Sequence, residues 1–425
     1  MDTYALTSAE PGDDPSNSTF YWERAGTSSS FVSTFGPSLG FLGAVEPLNA
    51  DLVRIAVAVR AVDASASRGV RWGFRNLRVE VPVGKPKRWR RQATALNSLL
   101  GLLTGDTWDV RFTKENFPEE AVRMAFPGTS QVVLLSGGAD SGAGAMLSAL
   151  SLRKGQQQSL VSHFSTGHIS PIQQRLASEI AAAAPDTSQE HIRLNHQRRK
   201  HGPSGARYGR ESSSRSRSLL FIALGLAAAS IERVPLLIPE NGFASINPPL
   251  GYDRRGSLST KTTHPRFFNE LRSLLGEVGG HAAFSNPYAS TTKGEMFAQL
   301  RDAMGAQAAA NYLSLTNSCS HSGMRSYGVY PTVQCGVCFG CVLRRASFHA
   351  AGLEDQSEYI DLKVHQGVPP AWLESHSVLG ALRSFVDKPP DELALATMRL
   401  PTDYSIADAK DLCDRAIGEL RGYLA

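Results

Sequence analysis

Ser136-Gly137-Gly138-Ala139-Asp140-Ser141 combines residue types that suit phosphate chemistry. Two successive glycines let the backbone turn sharply and approach a phosphate closely. The N–H groups of such a turn, with a helix N-terminus behind them, form an anion site. Ser136 and Ser141 add hydroxyl donors. Asp140 is out of place in an anion site alone but fits one in which a divalent metal sits on the phosphates. The rival reading is an ordinary strand-to-helix turn capped by Asp140 or Ser141. The whole hexapeptide, placed between a buried strand and a helix, weighs against it. No Gly-Lys-Ser/Thr follows, so this is not the Walker loop. The glycine spacing also differs from that of dinucleotide-binding turns.

A second cluster is Cys335-Gly336-Val337-Cys338-Phe339-Gly340-Cys341, with Cys319 sixteen residues upstream. Each two-residue gap folds into a knuckle that aims two sulfurs at one metal. Four thiolates suit a closed, tetrahedral Zn²⁺ site. An iron–sulfur cluster is the rival, since the same triplet opens ferredoxin motifs. Here the fourth cysteine lies upstream and no Cys-Pro follows. Cys413, in a helical context, reads as a core residue. His321 and His349 flank the cluster and read as neighbours of the site.

The elements that must position these groups follow from the hydrophobic pattern. Gln131–Leu135 is apolar after its first residue, as a strand buried on both faces of a parallel sheet is. Helices are predicted from Gly142 to Leu152, Pro171 to Ala183 and Ser216 to Ser230. They alternate with strands at Ser159–Phe164, His191–Leu194 and Val234–Ile238. That alternation predicts an α/β fold with a doubly wound parallel sheet, whose ligands sit at the C-terminal ends of the strands. Upstream, the β-branched run Leu52–Val59 reads as a strand. Leu77–Val83 reads as another, with Pro82 marking an edge. A helix over Arg88–Leu103 and a short strand at Trp108–Phe112 complete a small α+β unit over 48–125. Residues 1–47 are rich in Ser, Thr, Gly and Pro and read as a loop or extended tail whose aromatics dock elsewhere. Residues 366–425 read as a helical tail, with helices at Ala371–Val386 and Ile406–Tyr423. The domain between, 126–365, holds both motifs.

The chain has 425 residues, 42% hydrophobic and 20% charged, enough for two or three folded domains. Its longest apolar run, Leu219–Ala229, is too short for a bilayer. The first residues lack the basic and apolar regions of a secretory signal. A cytoplasmic chain without a membrane partner is therefore expected, and clustered cysteines in that setting favour metal over disulfides. The net charge of +5 is too mild to imply nucleic-acid binding by itself.

The hexapeptide resembles the SGGxDS signature of the PP-loop ATP pyrophosphatases, with Gly142 where relatives carry Ser or Thr. Ser318-Cys319, Cys335-Gly336, Cys338, Cys341, Arg344 and Phe348 resemble the C-terminal zinc segment of the QueC-like 7-cyano-7-deazaguanine synthases. Ala351-Gly352, Asp355 and Tyr359 continue that similarity. Arg217-Ser218-Leu219, Asn286-Pro287-Tyr288 and Lys293-Gly294-Glu295-Met296 resemble further segments of the family. The likeness covers roughly residues 128 to 360. It implies a PP-loop/HUP-like sheet and an ATP-dependent ligase that adenylates 7-carboxy-7-deazaguanine. An amine then captures the adenylate. It further implies that Ser136, Gly137, Gly138, Asp140 and Ser141 hold ATP and Mg²⁺. Arg217 and Lys293 would neutralise phosphoryl charge, and Cys319, Cys335, Cys338 and Cys341 would hold Zn²⁺.

The stretch after the fourth strand departs from that pattern: only Asn241 and the Pro265-Arg266-Phe267 neighbourhood look comparable. The N-terminal extension and the Ser259-to-Pro265 stretch are similar to QatC-like proteins of the Qat antiviral defence systems. Those proteins act beside a QatB partner, which implies amidation of a macromolecular amine. Between Arg193 and Arg217 there are eight Lys/Arg and one acid, Glu211. This stretch reads as a flexible basic loop beside the ATP site. Three roles fit it: a solvated surface, a lid over ATP, or a patch for a partner or nucleic acid, the last fitting a PP-loop enzyme that modifies RNA bases. Lys85–Arg91 reads as a solvated helix start.

Overall fold

The computed structural model describes the chain except residues 13–15, 24–27, 70–72, 118–126, 166, 214, 249–260, 322, 331 and 361–366. Ser259 and Thr260, part of the stretch noted above, lie outside the described residues.

The first 47 residues are not a tail. They contribute β1 (Asp2–Thr7), β2 (Thr19–Tyr21) and β3 (Phe31–Ser33), which join two different sheets. Phe20, Trp22, Phe31, Phe35 and Phe41 are buried. Composition misled here, because a few aromatics separated by Ser and Gly suffice to bury a short strand.

The predicted strand Leu52–Val59 lies inside α1 (Pro47–Asp63). This helix is enclosed on nearly every side, so its apolar residues run around the whole circumference and no helical stripe shows. A short, wholly apolar run does not distinguish a buried helix from a strand. The Glu46 carboxylate caps it, accepting from the Leu48 and Asn49 N–H groups, and Pro47 takes the first position, where no N–H is needed.

β4 (Asn76–Val83) follows, then α2 (Pro86–Arg91), α3 (Ala93–Thr104) and β5 (Thr107–Lys114). The single helix predicted over Arg88–Leu103 breaks at Gln92. In α2, Trp89 is buried while the basic residues face solvent. The four-stranded sheet runs β2-β1-β4-β5 and is parallel throughout, so this part is α/β and not α+β. β4 is an inner strand, contrary to the edge inferred from Pro82. β1 pairs only with Leu77–Glu80, so Pro82 lies beyond the paired part of β1 and its missing N–H interrupts no bond there.

The larger sheet is built from β6 (Thr129–Leu134), β7 (Gln157–Phe164), β8 (Ser188–Arg198), β9 (Leu236–Leu237) and β10 (Phe284–Ser285). The helices between them are α4 (Ala139–Leu150), α5 (Ile169–Ala183), α6 (Arg217–Glu232), α7 (Gly242–Ile246) and α8 (Pro265–Val278). Its order is β10-β9-β6-β7-β8-β3, parallel except for β3, which runs antiparallel to β8. Alternate residues of β6 face opposite cores. Val132 and Leu134 pack with α1 and α6, and Val133 and Leu135 pack with α4 and α5. The α1 and α6 core runs on without a break into the smaller sheet, through Leu6, Phe20, Val79 and Leu100.

After the sheet come α9 (Lys293–Met304), α10 (Ala306–Ser314) and α11 (Phe339–Ala350). The last four helices are α12 (Pro370–His376), α13 (Leu379–Asp387), α14 (Glu392–Ala396) and α15 (Ile406–Leu424). The helix predicted over Ala371–Val386 is two helices, α12 and α13. Cys413 is buried on α15 among Leu412, Ala416 and Val342. No described helix is long and apolar enough to cross a membrane.

Candidate functional site

The order of the larger sheet reverses beside β6: β7 and β8 lie to one side, β9 and β10 to the other. Such a reversal opens a crevice at the C-terminal strand ends. The Ser136–Ser141 loop leaves β6 at this point, and Pro239–Asn241 leaves β9 beside it.

The loop is held by its own hydroxyls. The Ser136 N–H donates to Ser141 Oγ at 3.1 Å, and the two hydroxyl oxygens lie 2.8 Å apart. The Gly138 N–H donates to Ser136 Oγ at 3.3 Å, and the Gln173 amide donates to the Ser136 carbonyl. Gly137 has φ 92°, and a Cβ there would come within 2.8 Å of Ile169. Both facts require glycine. Gly144 serves packing, since a Cβ on it would meet Pro239 at 2.3 Å. Gly138 caps α4, so Asp140 stands in the first turn, where the helix dipole favours a carboxylate.

Asp140 gathers groups from two other elements. Lys293 Nζ, from the first residue of α9, lies 2.7 Å from Asp140 Oδ2, with side chains 5% and 13% exposed. The Asn241 side-chain amide and backbone N–H both donate to Asp140 Oδ1, at 3.0 and 3.3 Å. Lys293 is placed by a capping box: Thr292 Oγ1 accepts from the Glu295 N–H, and the Glu295 carboxylate accepts from the Thr292 N–H. The C-terminal helix supports this corner. Glu419 accepts from the Thr292 hydroxyl and from the Gly294 N–H at 3.0 Å, and Arg415 pairs with Glu295 at 2.5 Å. Burial raises the Glu419 pKa above the usual carboxylate range.

The four sulfurs of Cys319, Cys335, Cys338 and Cys341 lie within 4.8 Å of one another. The Cys335–Cys341 and Cys338–Cys341 separations are 3.8 and 3.5 Å. A tetrahedral ion with Zn–S bonds of about 2.3 Å has sulfur–sulfur edges of about 3.8 Å. In an iron–sulfur cluster the cysteines are shared among several irons and stand farther apart. The set therefore fits one metal ion such as zinc. Cys335 N–H donates to Cys319 Sγ and Cys338 N–H to Cys335 Sγ, bonds that steady thiolates. His321 packs its ring on Trp372 and His376, and His349 lies on the outer part of α11.

The two motifs touch. The N–H of Asn317, two residues before Cys319, donates to the Gly137 carbonyl at 2.9 Å. Thr316 accepts from the fully buried Arg344 guanidinium, which also bonds the Leu313 carbonyl and Ser357.

Lys293 thus meets Asp140, whereas Arg217 does not join them. Arg217 opens α6 and lines a separate cavity that contains none of the loop residues. The basic stretch is not a flexible loop. Arg193 and Arg198 belong to β8, and Arg215 and Ser216 are fixed by the Asp63 carboxylate and the Thr104 carbonyl. Asn241 and Glu419 were not among the residues expected at the site. Asn241 stood out only as a point of likeness, and nothing local marks Glu419, whose partners lie more than 120 positions away.

Comparison with protein-family models and with curated proteins finds no match for this chain.

Proposed function

We propose that the protein is an ATP-dependent ligase of the QueC-like PP-loop type, which adenylates a carboxylate and transfers the acyl group to an amine. The observation that carries this reading is the convergence of Asp140, Lys293 and Asn241 on the Ser136–Ser141 loop at the sheet's switch point. The 7-deazaguanine carboxylate substrate, the QatB-like partner and a role in antiviral defence rest on the sequence resemblance alone.

In this reading the loop N–H groups and α4 hold the β- and γ-phosphates. Asp140 keeps one lone-pair direction on Oδ2 beyond those used by Lys293, and it would hold Mg²⁺, which neutralises phosphate charge. A substrate carboxylate oxygen attacks the α-phosphorus, the bond to the β-phosphate oxygen breaks, and pyrophosphate leaves. Lys293 offsets the charge that builds on the leaving oxygens. An amine then attacks the acyl carbon, AMP leaves with the C–O electron pair, and the nitrogen loses a proton to give the amide. The cysteine site would hold structural Zn²⁺ and brace the loop through Asn317.

The test is pyrophosphate release from Mg·ATP with and without 7-carboxy-7-deazaguanine, and with and without ammonium. Release that depends on the deazaguanine supports the reading. A protein that binds ATP but releases no pyrophosphate with any carboxylate or partner contradicts it.

A further inference from the structure

The cavity that takes Arg217 has a volume of about 280 Å³ and lies where α1, β3 and α6 meet the ends of β7 and β8. Arg60, Arg198, Arg210 and Arg217 line it, against one carboxylate, Glu211. Four guanidinium groups less one carboxylate leave an excess of three positive charges. Glu211 is already engaged, accepting from the Ser213 N–H and hydroxyl and from the Arg68 N–H. Arg198 donates to the carbonyls of Arg199 and Gly209, and its buried Nε has no partner among the described residues. The Arg210 and Arg217 side chains make no hydrogen bond or ion pair with the described residues. Burial lowers the proton affinity of Arg60; the Asp63 carboxylate opposes that effect, and the charges of Arg217 and Arg198 add to it. The cations lie close enough to oppose one another, and the Arg210 and Arg217 side chains have no acidic partner among the described residues.

Apart from Ser165 and Gln197, the rest of the wall is apolar or aromatic. Phe31, Val57 and Leu220 line it, and the buried His196 ring stacks on Phe31 with centroids 4.6 Å apart. His196 Nδ1 faces Ser33 Oγ, while its Nε2 has no partner among the described residues.

We propose that this cavity is a second anion site, separate from the Ser136–Ser141 loop, which binds an organic phosphate monoester. Guanidinium forks match phosphate oxygens bidentately, and a dianion balances most of the excess charge. The Phe31 and His196 side takes the ligand's ring. Arg60 and Phe31 belong to the N-terminal elements, so the site exists only because those elements dock on the larger sheet.

Phenyl phosphate and inorganic phosphate are suitable probes, with arginine labelling by phenylglyoxal read by peptide mass spectrometry on the full chain. Phenyl phosphate should protect Arg210 and Arg217, at lower concentration than inorganic phosphate does. Protection should persist when Mg·pyrophosphate saturates the loop and in Asp140→Asn. In Arg60→Gln, and in the exposed rim variant Arg210→Gln read at Arg217, half-protection should need at least about tenfold more ligand. Labelling that is identical with and without phenyl phosphate would overturn the proposal. So would equal protection by the two probes, or protection lost in Asp140→Asn and unchanged in Arg60→Gln.

Discussion

Lys293 Nζ stands 2.7 Å from Asp140 Oδ2, and both side chains are largely withdrawn from water. Removing one member of a buried pair leaves the other charge uncompensated, at a cost of about 3–5 kcal/mol. The two deletions are not equivalent, because Asp140 would keep two donors from Asn241 while Lys293 has no second acidic partner in the described site. Asp140→Ala should therefore be the more destabilising in urea denaturation. Lys293→Met should keep most stability and lose about 10²–10³-fold in pyrophosphate release. Lys293→Met with full turnover would remove the lysine from the chemistry.

The cysteine geometry predicts one zinc per chain, bound by four sulfurs at about 2.3 Å. Metal analysis and X-ray absorption of the purified protein check both numbers. Cys335→Ser should lower metal content and melting temperature together. Because Asn317 bonds the Gly137 carbonyl, zinc loss should also weaken ATP binding. Zinc loss that leaves ATP affinity untouched would show that the two motifs are only neighbours.

Glu419 connects the last helix to the α9 N-terminus. A Cβ at residue 294 would meet its carboxylate at 2.5 Å, so Gly294 leaves room for that contact. Glu419→Ala leaves the Gly294 N–H and the Thr292 hydroxyl without their acceptor and should cost about 1–3 kcal/mol. If Glu419 positions Lys293, turnover should fall more than ATP affinity does, and Glu419→Gln should recover part of it. A loss of stability with unchanged turnover would make the contact purely structural.

Burial pushes the His163 pKa down from 6.5 to about 4 and that of His196 to about 3. In each case the unfolded chain binds a proton more readily than the folded one. Their contribution is complete above pH 6.5 and is lost as the pH falls, toward 4 for His163 and toward 3 for His196. For His163 alone the loss is on the order of 3 kcal/mol. Urea denaturation across that range should show the decline, and His163→Gln should flatten it. An unchanged slope in the variant would place the acid sensitivity elsewhere.

Much of the larger sheet was legible because its strands alternate with helices and the Ser136–Ser141 loop is local in sequence. The cysteine set was legible because three ligands share one short turn. The N-terminal half was harder to read. α1 is enclosed on nearly every side and so lost the helical stripe, and β1 to β3 are short strands set in a loop-like composition. Arg217 was read into the phosphate site by resemblance. Its actual neighbour Arg60 comes from a distant position that no local pattern joins, whereas Arg198 belongs to the same basic stretch. The basic stretch looked mobile because its anchors, Asp63 and Thr104, lie more than 100 residues upstream.

The most direct test of carboxylate adenylation is oxygen transfer. 7-Carboxy-7-deazaguanine labelled with ¹⁸O in its carboxylate is incubated with Mg·ATP, the protein and an amine, and the AMP is analysed by mass spectrometry. The account predicts AMP carrying one ¹⁸O from the substrate, formed together with pyrophosphate and amide. Unlabelled AMP, or ADP and phosphate in its place, would contradict it.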